Sequence, residues 1–104
     1  MNVWKLRAET ELVGKIEATA ADQPWTSGSW QPTPTFERFA PLFEHELACL
    51  NAMNEQSQEW ERAYQAIEEA GLSLQSPGGE IVAEWLLHID GNEAWFRWSL
   101  ESFD

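Results

Sequence analysis

What this 104-residue chain lacks narrows it first. It has no run of 18 apolar residues, so no segment reads as a membrane-spanning helix. Its first residues, MNVWKLRAETELVG, carry no apolar run of the signal-peptide kind, and the cytoplasm is the expected compartment. The one cysteine, Cys49, has no internal disulfide partner and reads as a buried free thiol in a reducing compartment. Basic charge is scarce: 6 Lys and Arg stand against 18 Asp and Glu, for a net charge of −12. That balance opposes direct nucleic-acid binding and adhesion to an anionic membrane. A Gly-rich phosphate loop, a CxxC pair and a GxSxG turn are all missing, so no cofactor is implied.

Glycine is also absent from 36 to 70, where the only proline is Pro41. Phe36, Phe39, Phe43, Leu47 and Leu50 follow helical spacing, as do Trp60, Ala63, Tyr64 and Ile67. The second stripe is rotated from the first by roughly a third of a turn, at about 100° per residue. Two helices, 41–53 and 57–70, answer that better than one, with the break in Asn54-Glu55-Gln56-Ser57. Pro41 suits the first turn of the first helix, after a turn or short helical entry at 35–40; Ser57 can cap the second and Gly71 closes it.

Flanking this block the period falls to 2. Segments 3–7 and 12–20 alternate and predict a hairpin turned at 8–11. After a turn at 21–24, segment 25–31 reads as a third strand in which Gly28 marks a bulge or close backbone approach. Leu72-Ser73-Leu74-Gln75 is a short strand, and Ser76-Pro77-Gly78-Gly79 turns it into the last hairpin, 81–99.

Asp90-Gly91 is the strongest hairpin signal. With those two residues as the loop, Leu87–Ala94, Trp85–Phe96 and Ala83–Trp98 share an apolar face, and His88–Glu93, Leu86–Trp95 and Glu84–Arg97 share the other. A loop at Gly91-Asn92 keeps both faces but sets Arg97 opposite Leu86. The charge match favours the first register. The order β-β-β-α-α-β-β-β predicts one α+β domain, 1–104: an antiparallel sheet of about six strands with helices packed on one face. The apolar hairpin face is expected under the helices, and the His88 face outward or in a groove.

Residues 24–46, PWTSGSWQPTPTFERFAPLFEHE, and 86–98, LLHIDGNEAWFRW, resemble short acidic proteins of bacterial, chiefly actinobacterial, genomes with no assigned function. The resemblance implies no activity, cofactor or catalytic residue.

Seven tryptophans are the sharpest oddity of composition. Trp4, Trp60, Trp85 and Trp98 have core-like spacing; Trp25, Trp30 and Trp95 are harder to place inside. A half-exposed tryptophan buries much area at small entropic cost and anchors interfaces. Together with Glu84 and Glu93 on the rim, these three predict a non-catalytic module of inhibitor, immunity or adaptor type that binds a basic protein. The competing reading is a small-molecule site or minor enzyme, in a groove between 25–30 and the last hairpin, with His88 and Arg97 as its polar groups. A homodimer fits either. His45 and Cys49 form an i, i+4 pair, yet two ligands are half a zinc site. Glu55, Glu59, Glu61, Glu68 and Glu69 lack a calcium loop and read as a solvated helix face. No metal is predicted.

Overall fold

The computed structural model describes residues 2–22, 25–52 and 58–99. Its strands are β1 (Val3–Ala8), β2 (Glu11–Asp22), β3 (Trp25–Pro32), β4 (Leu72–Gln75), β5 (Glu84–Asp90) and β6 (Glu93–Ser99). A 3₁₀ turn (Pro34–Arg38) leads into α1 (Ala40–Ala52), and α2 (Gln58–Glu68) precedes β4. The architecture is α+β, with one six-stranded antiparallel sheet in the order β4-β1-β2-β3-β6-β5. Among the described residues no helix is long and apolar enough to cross a membrane. The expected break at 54–57, the Ser57 cap, and Gln23 and Pro24 of the expected turn lie outside the described residues.

The sheet is curled. β1 and β6 are separated by two strands, which in a flat sheet would set them about 14 Å apart. Yet the Trp4 ring lies 4.9 Å from Phe96 and 5.0 Å from Trp98, centroid to centroid. The segment after β4 draws the two edges together: Gln75 bridges Ile81, Val82 N–H donates to Leu74 O, and Ala83 N–H donates to Ser99 O. The interior is layered in register. Trp4, Ile16 and Trp30 are successive cross-strand partners, as are Thr26, Phe96 and Leu87. Leu6, Ile16, Leu74, Leu87 and Phe96 are fully buried.

Two glycines permit this packing. A Cβ on Gly14 would stand 2.2 Å from the Trp30 ring, and one on Gly28 would stand 2.1 Å from the Glu17 carbonyl. The close approach expected at Gly28 is present, and the bulge lies opposite it, between Ala18 and Ala20 of β2.

Three expectations need correction. The last hairpin turns at Gly91-Asn92, so His88 opposes Trp95, Leu86 opposes Arg97 and Glu84 opposes Ser99. Gly91 takes φ +60 while Asp90 does not enter the left-handed region, which suits a turn with glycine at its first central position. The alternation also breaks before β5: Val82 is buried, whereas Ile81 and Ala83 are exposed. Finally, His88 itself does not look outward, although Glu93 and Arg97 on its side of the hairpin are exposed. Curling turns the apolar face towards β1, where Trp4 meets Phe96 and Trp98, and α1 covers His88 instead.

Candidate functional site

Helix α1 buries Phe43, Glu46 and Cys49, so a carboxylate sits on its inward stripe. α2 buries Trp60, Ala63, Tyr64 and Ile67, the stripe expected from its spacing. Burying an unpaired carboxylate is costly, and Glu46 is well supplied. Its Oε2 lies 2.8 Å from His88 Nδ1 and accepts the Trp60 Nε1–H at 2.6 Å. Both Glu46 and His88 are fully buried. Glu46 Oε1 and His88 Nε2 have no partner among the described residues.

Two tryptophans roof the imidazole. Trp95 lies beside it on β6 with ring centroids 5.3 Å apart, and Trp25 reaches over from β3 to 5.6 Å. The Arg97 guanidinium in turn lies 5.5 Å from the Trp25 ring centroid. The fold therefore brings Trp25, Trp95, His88 and Arg97 into one layered cluster. Trp25 and Trp95 are half-buried and Arg97 is exposed.

Tyr64 finishes the contact between α2 and β5. Its hydroxyl accepts the Leu87 N–H at 2.9 Å and donates to Trp85 O at 3.3 Å, both on the outer edge of the sheet. Burial, with smaller contributions from Glu46 and Glu68, pushes the Tyr64 phenol far above its ordinary range, so it stays protonated.

The remaining predicted residues lie elsewhere. Trp30 is not an anchor: it is 3% exposed, packed edge-on against Phe36 and seated over Gly14. Glu84, half-buried at the start of β5, lines a groove with Tyr64, Glu68 and Trp85. Glu93 is exposed beside the hairpin turn. It lines a trough of about 390 Å³ along β3, with Trp95 as an aromatic wall and Ser27, Gly28 and Ser29 beneath. A groove between β3 and the last hairpin is thus present, but His88 and Arg97 do not line it.

Two contributors went unread in the sequence, Glu46 and Trp60's bond to it. The available signal was Glu46 itself, three residues from Phe43 and three from Cys49 on the apolar stripe, where a carboxylate demands a buried partner. His45 is exposed and 3.9 Å from Cys49 Sγ, and no group of three or more His, Cys, Asp or Glu side chains that could hold a metal occurs among the described residues. His88, the polar group expected in a groove, is instead enclosed in this arrangement. No protein-family model, curated protein or solved structure matches the chain.

Proposed function

We propose that the protein is a non-catalytic interaction module for a basic partner protein, which inserts a Lys or Arg side chain into the trough beside Trp95 and Glu93. One observation carries this reading. Trp95 is held from behind by the buried His88 and presents its other side to an open trough in which Glu93 is the only ionisable side chain among the described residues. A cation over a tryptophan face gains about 0.5–1 kcal/mol at an exposed site, and a wall already held in place loses little freedom on binding. The net charge of −12 draws such a partner in from a distance. Trp25 and Arg97 flank this surface; Trp30 supports it from within. The buried thiol of Cys49 suits a reducing compartment, and we place the module in the cytoplasm.

The test is affinity capture from host lysate with the wild type and Glu93→Lys, identified by mass spectrometry. A basic protein should be retained at low salt, released at high salt, and missing from the Glu93→Lys capture. Identical captures by both proteins would exclude the trough. Captured proteins without basic character would exclude the proposal.

A further inference from the structure

Among the described residues, the interior of the curled sheet is filled by large side chains along most of its length but not at the end where β1 begins and β6 finishes. The reason lies in the bulge of β2. Ala18 pairs with Gly28, Ala20 with Ser27 and Ala21 with Thr26, so the bulge passes over Thr19 and moves the inward side from even to odd positions. Thr26 is in turn the partner of the inward-facing Phe96. The described inward residues that β2 and β3 supply at this end are therefore Ala18, Ala21 and Thr26, all small. Two indoles bound the gap they leave: Trp4 is 6% exposed, while Trp98 is 37% exposed, unusual for so large an apolar side chain.

The result is an open cavity of about 500 Å³ at the mouth of the sheet. That volume lies in the range of small-molecule sites, about 300–1,000 Å³, and the mouth of a closed or nearly closed sheet is a common place for one. Its lining is chemically distinctive for this chain. Eighteen of 104 residues are acidic, yet none of the described side chains that line the cavity is ionisable. Asn2, Thr26 and Ser76 supply neutral donors and acceptors around the apolar walls of Trp4 and Trp98. An anion would have to approach through a strongly negative field and would meet no countercharge among the described lining side chains. A flat uncharged ring meets an exposed indole on which to stack.

We infer that this mouth is a binding site for an uncharged planar heteroaromatic molecule of one or two rings, stacked on Trp98; it shares only Thr19 with the trough at Trp95. The probe is indole, with benzoate as an anionic counterpart, read through the Nε1–H resonances of Trp4 and Trp98 by ¹H–¹⁵N NMR. Indole should shift both resonances saturably with a Kd below about 1 mM, and benzoate should not. Ala21→Phe, which fills the mouth from a solvent-exposed strand position, should remove the response while leaving the other tryptophan resonances in place. If that variant fails to fold, Trp98→Ala should remove the Trp4 response instead. Shifts that rise linearly without saturation, or equally with benzoate, overturn the inference. So do Trp4 and Trp98 resonances that change with protein concentration alone, because the mouth would then be covered by a second copy of the chain.

Discussion

Glu46 and His88, 42 positions apart in the chain, meet at 2.8 Å with both side chains fully buried. This contact ties α1 to the edge strand β5, and Trp60 Nε1–H ties α2 to the same carboxylate oxygen. One oxygen thus organises three elements. Removing Glu46 takes its Oε2 from both the His88 imidazole and the Trp60 indole.

Glu46→Ala should therefore destabilise the protein by about 3–5 kcal/mol, the usual cost of breaking a buried pair from one side. Replacing both partners with apolar residues of similar volume, Glu46→Leu with His88→Phe, should recover most of that loss. Urea denaturation of the single and double variants checks both statements. Additive losses would show that the pair is not coupled.

Tyr64 predicts an alkaline limit. Its phenol is raised above the unfolded value of 10.0, so the fold favours the protonated form. That contribution is fully present below pH 10 and is lost as the pH rises above it, because the unfolded chain then releases a proton that the folded chain keeps. Tyr64→Phe should flatten the decline above pH 10. It should also cost about 1–3 kcal/mol at neutral pH, because the Leu87 N–H loses its acceptor. Melting curves from pH 7 to 11 on both proteins read the two effects; a decline of equal slope in Tyr64→Phe would assign it to other groups.

Gly28→Ala should destabilise by about 1–3 kcal/mol, because the new Cβ falls on the backbone of β2 rather than on a side chain able to move away. Gly78→Ala is the control, since its Cβ would approach nothing closer than 3.9 Å. Chemical denaturation of the pair should separate them clearly. Equal stabilities would mean that β2 and β3 shift apart without penalty.

The sequence exposes its periodicities and hides its distant contacts. Leu72–Gln75 is legible as a strand, and Trp60, Ala63, Tyr64 and Ile67 as a buried helical face, because local spacing alone determines both. The two faces of the last hairpin are equally legible; its register is not. Both loops put the same residues on the same sides, and one cross-strand charge pair is worth only about 0.2–1 kcal/mol. Against it, a loop at Asp90-Gly91 would ask Asp90 for a left-handed backbone at about 1–2 kcal/mol, and Gly91-Asn92 asks only glycine. Arg97 then finds the Trp25 ring in place of Glu84. His88 was harder still. Its neighbours Glu84 and Asp90 make it look solvated, and nothing local shows that the curl of the sheet commits the opposite face to β1 and leaves this one to α1.

The strand order also bears on how the chain is made. Synthesis delivers β1, β2 and β3 first, as a meander whose two outer strands are bare. One is later paired by β4 and the other by β6, which lies beyond both helices. Until residues 72–99 arrive, the nascent chain carries two open strand edges, the kind of surface that templates wrong pairings. Fragments ending before β4 should therefore be sticky rather than merely unstable, which light scattering of a 1–70 fragment against the full chain would read.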